Sequence, residues 1–480
     1  MTMTFANAVR NQEARTVNGM KARASTADAC VDLFFKIGAS RGKNIIPDFT
    51  AAYVQDRDVA SRIALWVRDV RGGAGERKLF RDILLELNKS DQDRCIAMMK
   101  KVPELGRWDD LLVFEKDSAA EAVAFTLIKD ALDAKNGLCA KWMPRKGEVA
   151  ARLRSFLGWS PKRYRKTLVD LTKVVETQMC AKEWDEINFN HVPSVASARY
   201  KKAFSRHTEK YKEWTTALVS KDPEVAKTVK VNAGAVYPYD VLKGLITDHY
   251  GASYNKSNLD HITAQWEALP NYVGDANILP LVDVSGSMTS PAGGVGSKSV
   301  TTCLEVAVSL GLYLADKNKG KFKDTFLTFS SDPQLLSLKG DIVQKIKQMN
   351  SSAWQMSTDL HKAMDKILDV AKKAGVPQEE MPGMLLILSD MQFNQCARMD
   401  HSAMEMIRHK YETAGYKLPA IVFWNINAAD NVPVKHDASG VALVSGFSPS
   451  IVKSVLSADM DQFTPTGIML KTIMNPRYDL

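Results

Sequence analysis

What most limits the folding of this chain is a series of short apolar runs beyond about residue 275. These are ILPLVDV, DTFLTFS, GMLLILSD, LPAIVFWNI and GVALVSGF, and helical stretches such as TTCLEVAVSLGLYLADK and DLHKAMDKILDVAKKAG lie between some of them. Each run is rich in β-branched or aromatic residues and far shorter than the ~20 residues a membrane-spanning helix needs, so it reads as a buried strand. Strands alternating with helices predict a mainly parallel sheet covered by helices on both faces. Ligands of such sheets bind at the carboxyl ends of the strands.

Upstream the apolar spacing is helical. Ile63, Trp66, Val67 and Val70 recur at i, i+3, i+4 and i+7, as do Phe80, Ile83, Leu84 and Leu87, so each set lines one helix face. The intervening RGGAGER, Arg71 to Arg77, supplies glycines for a tight turn and so predicts a helical hairpin. A chain of 480 residues is too long for one ordinary core. The expected fold is α + α/β, with a HEAT-like helical array over residues 1–270 followed by a doubly wound, Rossmann-like domain over 271–480.

Asp283, Ser285 and Ser287 follow the strand ILPLV at alternate positions in LVDVSGSMTS. Thr358 stands at the mouth of the helix in STDLHKAMDKIL, and Asp390 ends the run MLLILSD. Two carboxylates and three hydroxyls, with no nitrogen or sulfur donor, form a hard site suited to Mg²⁺ or Mn²⁺ with waters completing the coordination. The bland alternative is a helix cap at Ser287 or Thr358 and two solvated aspartates. A nucleophilic role for Ser285 would need a G-x-S-x-G elbow and a histidine, whereas the chain reads D-V-S-G-S and the nearby His361 suits a helix surface.

This ordered set closely resembles the metal-ion-dependent adhesion site of von Willebrand factor type A (vWA) domains, whose pattern is D-x-S-x-S, a threonine and an aspartate. The resemblance implies that fold for residues 275–480 and a metal bound by Asp283, Ser285, Ser287, Thr358 and Asp390. It also implies direct contact by the hydroxyls and contact often through water by the aspartates. The chain departs from the pattern in SPAGGVGSKS, Ser290 to Ser299, which lengthens a loop, and in MSTD around Thr358, where many relatives carry glycines.

The net charge of +9 resides in the first part, where residues 1–270 hold 44 Lys and Arg against 34 Asp and Glu; residues 271–480 hold 20 against 21. Such an excess suits a polyanion-binding surface and equally an ordinary basic domain. The segment RLRSFLGWSPKRYRK contains Arg152, Arg154, Lys162, Arg163, Arg165 and Lys166 with Trp159 and Tyr164 and no acid. Cations that hold phosphate and aromatics that stack on bases make it the best RNA-binding candidate, against the plain reading of a solvated basic face with buried aromatics. A second cluster, RYKKAFSRHTEKYKEW, is diluted by Glu209 and Glu213.

WVRDVRGGAGERKLFRDIL, PELGRWDDLL, AKWMPR and YRKTLVDLTKVVETQMCAKEWDEINFNHVPS resemble an uncharacterised family of plants, fungi and viruses that joins a helical domain to a type A domain. More remotely the architecture resembles TROVE proteins of the Ro type, which implies binding of small noncoding or single-stranded RNA. RGGAGERK itself lacks the G-K-[ST] ending and the preceding strand of a phosphate loop.

Six cysteines, Cys30, Cys95, Cys139, Cys180, Cys303 and Cys396, are scattered without a C-x-x-C pair, which suits reduced thiols and argues against zinc or disulfides. The N-terminal segment has no apolar core of the signal-peptide kind, so a cytoplasmic location without membrane association is expected. The expected function is that of a nonenzymatic RNA-binding protein with a Mg²⁺ site. The competing expectations are an adaptor in which a partner protein supplies a carboxylate to the metal, and a structural component of an assembly, including a viral one.

Overall fold

The computed structural model describes residues 13–15, 21–246, 255–292, 301–329, 333–350, 360–392, 403–429 and 431–480. A small antiparallel pair, β1 (Glu13–Arg15) and β2 (Lys21–Arg23), precedes the helices. Those used below are α1 (Ala29–Ile37), α2 (Arg57–Arg68), α3 (Arg77–Ser90), α4 (Gly137–Trp142), α5 (Glu148–Phe156), α6 (Pro161–Leu171), α7 (Ser194–His207), α8 (Glu209–Leu218) and α9 (Lys256–Glu267). Among the described residues no helix is long and apolar enough to cross a membrane.

The expected hairpin is α2 and α3. Asp56 caps α2 by accepting from the Asp58 and Val59 N–H groups, and Ile63, Trp66 and Val67 are buried, as are Phe80, Ile83, Leu84 and Leu87 of α3. Val70, the fourth member of the first set, lies beyond the end of α2 at Arg68. The turn packs so closely that a Cβ at Gly73 would fall 1.8 Å from the Trp66 carbonyl oxygen.

The second part is a six-stranded sheet: β3 (Ile278–Asp283), β4 (Thr325–Phe329), β5 (Leu335–Ser337), β6 (Met384–Ser389), β7 (Ala420–Asn425) and β8 (Val441–Ser445). Its order is β5-β4-β3-β6-β7-β8, parallel except for the antiparallel edge strand β5. Every residue of β3, β7 and β8 is buried, as a sheet covered on both faces requires. Between β3 and β4 runs α10 (Cys303–Lys317), opened by a capping box in which Thr302 Oγ1 accepts from Glu305 N and Glu305 Oε2 accepts from Thr302 N.

The core does not divide where the sequence texture changes, since one hydrophobic cluster runs from Cys30 to Tyr478. Helix α1 packs on the edge strand β8: Ser445 Oγ donates to the Phe34 carbonyl at 2.7 Å and accepts from Gly38 N at 3.0 Å, and Asn425 Nδ2 donates to the Phe35 carbonyl. Helix α9 and the link after it are tied to α10, by Trp266 Nε1 donating to Asp316 and by Tyr313 OH donating to the Pro270 carbonyl. Residues 476–478 return to the first hairpin, where Arg477 and Tyr478 OH both bond Asp69.

A separate small core holds Val175, Ile187, Phe189, Val192, Phe204, Tyr211 and Trp214. It joins α9 through the fully buried His261, whose Nε2 lies 2.9 Å from Ser197 Oγ and Nδ1 2.6 Å from Tyr211 OH. Burial, with a contribution from Lys201, lowers the imidazole pKa from 6.5 to about 3. Between those values the unfolded chain binds a proton that the folded one refuses, so stability falls as pH drops from 6.5 toward 3. His261→Gln should flatten that acid limb by up to roughly 4–5 kcal/mol across the window, read as stability against pH in urea melts. An equally steep limb in the variant would assign the acid loss elsewhere.

Candidate functional site

Two adjacent parallel strands build the site. With Val282 of β3 opposite Leu388 of β6, the next residues, Asp283 and Ser389, face each other, and Asp390 follows at the strand end. Ser389 Oγ donates to Asp283 Oδ2 at 2.6 Å and Ser285 N donates to Oδ1 at 2.9 Å. Ser285 Oγ lies 3.0 Å from Ser287 Oγ, and the Ser287 hydroxyl hydrogen-bonds Asp390. Gln392 N donates to Asp390 Oδ1. Met391 holds this turn in the left-handed region at φ 65°, donating its N–H to Ser389 Oγ.

Asp283, Ser285 and Asp390 are buried and Ser287 is exposed, so the cluster opens to solvent on the Ser287 side. Burial, and then the Asp390 charge, pushes Asp283 up to about 7; burial raises Asp390, opposed by its bonds from Ser287 and Gln392. Among the described residues neither carboxylate forms an ion pair, and no group of three or more His, Cys, Asp or Glu has metal-binding spacing. Two like charges sharing a desolvated cleft, ringed by hydroxyls, form a set that a hard divalent cation would satisfy.

Four of the five expected ligands, Asp283, Ser285, Ser287 and Asp390, thus come together. Thr358 lies outside the described residues, as do residues 293–300 of the lengthened loop and Cys396. Ser389, which fixes Asp283, went unnoticed in the sequence although it stands in the same LSD run.

The basic segment folds as α5, a turn and α6, and its residues separate. Arg154, Lys162 and Arg165 line a groove of about 730 Å³ together with Arg145, Tyr164, Val169 and Thr172. Arg163 stacks over Trp159, 4.7 Å from the ring centroid, and Lys166 is exposed outside the groove lining. Arg152 is held by ion pairs to Glu121 at 2.8 Å and Glu148 at 2.9 Å, which occupy its guanidinium. Tyr164 is buried with its hydroxyl on the Pro144 carbonyl, so it offers the groove little surface on which a base could stack. In the second basic cluster Phe204, Tyr211 and Trp214 belong to the small core.

Arg145 was not singled out in the sequence, where it closes AKWMPR. Its Nη2 donates to Thr172 Oγ1 at 3.0 Å, and burial disfavours its charge. Among the described residues none of the four groove cations pairs with a carboxylate.

Two family models match adjoining parts of the chain: a domain of unknown function, DUF2828, over residues 116–277, and another, DUF7788, over residues 277–469. An uncharacterised protein, L728, of Acanthamoeba polyphaga mimivirus is 28% identical over 528 residues, covering 96% of this chain and 88% of that protein. The crystal structure of the Deinococcus radiodurans Ro (RSR) protein superposes with a TM-score of 0.51 at 15% identity, covering 93% of this chain and 99% of that one. The helical part followed by the mostly parallel sheet is therefore a Ro-like fold.

Proposed function

We propose that this chain is a nonenzymatic RNA-binding protein of TROVE-like design, whose vWA-type domain binds Mg²⁺ or Mn²⁺. The observation that carries the reading is the groove walled by Arg145, Arg154, Lys162 and Arg165, with no carboxylate among the described residues that line it, since four cations without an acidic partner in a concave surface favour a phosphate backbone. The fold shared with the Ro (RSR) protein agrees with it. The only described serine–histidine contact is buried between Ser197 and His261, where no substrate reaches it.

Asp283, Ser285, Ser287 and Asp390 would hold the metal, which supplies a Lewis-acidic position for an oxygen ligand of a partner or of the RNA. The opening at Ser287 also favours a second reading, a metal-dependent adaptor that accepts a carboxylate from a partner protein.

The test is anisotropy of a labelled single-stranded oligoribonucleotide across a salt series. The double variant Arg154→Glu/Arg165→Glu should weaken binding at least about tenfold and make the slope of log K against log salt shallower by about 1.4, the share of two phosphate contacts on a single strand. Unchanged affinity and slope would sink the RNA reading and leave the adaptor.

A further inference from the structure

The motifs RGGAGERKLFRD, GRWDD and AKWMPR, distant in sequence, converge on one arginine cluster. Asp110 accepts from Arg68 Nε and Arg81 Nε, both at 2.7 Å. Arg107 grips Asp109 with two donors at 2.8 and 2.5 Å, and Arg81 Nη2 approaches Asp109 at 3.0 Å. Arg107 lies over the Trp142 ring, 3.4 Å from its centroid. Arg77 at the rim reaches Asp109 only at 4.0 Å and is 42% exposed.

A purely structural network would be neutral, because each buried charge left over costs several kcal/mol. Among the described residues four guanidiniums face two carboxylates, and Arg68 Nη2, on a side chain 1% exposed, has no hydrogen-bond partner there. Arg81 Nη2 likewise lacks one of hydrogen-bond geometry. Burial and the neighbouring Arg107 and Arg81 lower the Arg77 pKa, the mark of cations crowded without enough anion. Arg77, Arg81 and Arg107 are 42%, 25% and 27% exposed, so the surplus of two charges lies where a dianion from solvent can reach it, and a phosphate monoester carries about −1.5 to −2 at pH 7.

Trp142 precedes Arg145 of the groove by three residues, so their Cα atoms are at most ~11 Å apart. We propose that Arg77, Arg81 and Arg107 form a subsite for the terminal phosphate of the RNA strand whose following backbone lies in the Arg145 groove. This rests on the RNA reading of that groove. An internal phosphodiester supplies one charge where the cluster lacks two, which is why the end of a strand is selected.

Two arms test it on the full chain. In the first, inorganic phosphate at constant ionic strength should raise the melting temperature of the wild type in a saturable way. Arg77→Ala should abolish the rise and Arg77→Lys should retain part of it. Among the described residues the Arg77 side chain makes one ion pair, the long contact to Asp109, so the variant should melt normally without phosphate; Lys141→Ala, whose Nζ lies 5.4 Å from the Trp142 ring, gives a second probe that should weaken the response. A wild type indifferent to phosphate overturns the subsite.

In the second arm, oligoribonucleotides carrying a 5′-phosphate, a 3′-phosphate or no terminal phosphate are compared. One phosphorylated end should bind about tenfold more tightly than the hydroxyl form, and Arg77→Ala should erase the preference. Equal affinities beside an intact phosphate response overturn the assignment to a strand end. A phosphate response with no oligoribonucleotide bound overturns the RNA reading itself, and the strand-end assignment with it.

Discussion

Asp110→Ala is expected to lower stability by about 3–5 kcal/mol, the cost of stranding a buried charge. The carboxylate is fully buried and accepts from Arg68 Nε, Arg81 Nε and Arg107 N. Arg68, 1% exposed, cannot reach water once its partner is gone. Urea unfolding measures the loss, and the double variant Arg68→Met/Asp110→Leu separates two explanations. If the pair serves mainly to cancel its own burial cost, the apolar double variant recovers most of the single variant's loss. A loss under about 1 kcal/mol for Asp110→Ala would contradict the burial argument.

The second large effect is at the strand ends. In saturating Mg²⁺ the wild type should gain about 2.7 kcal/mol over its state in chelator when the metal is at a hundred times its dissociation constant. Asp283→Asn should gain nothing, yet in chelator it should melt higher than the wild type, because it removes one of two buried carboxylates that repel. That opposite pair of shifts is one an ordinary structural aspartate would not give. A metal response surviving in Asp283→Asn would remove this residue from the site.

The linkage has a definite sign. The folded, metal-free Asp283 keeps its proton up to about 7 while the unfolded group releases it near 3.8. Between those values the metal-free protein loses stability as pH rises, because the unfolded state binds fewer protons. Metal competes with the same proton, so the Mg²⁺ gain should grow through about pH 7.

Buried strands were the easiest elements to read, because both faces are apolar and β3, β6, β7 and β8 therefore appear as hydrophobic runs. The edge strand β5, with Leu335 and Ser337 exposed, carries no such signal. The aspartates were legible because each ends an apolar run. The groove was legible only in part, since sequence shows where cations lie and not which are neutralised. Glu121, 31 positions upstream, holds Arg152, whereas Arg145, outside the basic run, joins the groove. Nor does any local pattern reveal that α1 belongs against β8, because its apolar face suits any core.

That last contact has a consequence for how the protein is made. The Phe34 carbonyl is capped by a hydroxyl 411 positions later. At roughly 5–20 residues per second a ribosome takes about 20–80 s to cover that distance. Throughout that interval Val31, Leu33, Phe34 and Phe35, all buried in the finished fold, lack the strand that shelters them, so the nascent chain offers a chaperone a binding segment near its beginning until β8 emerges.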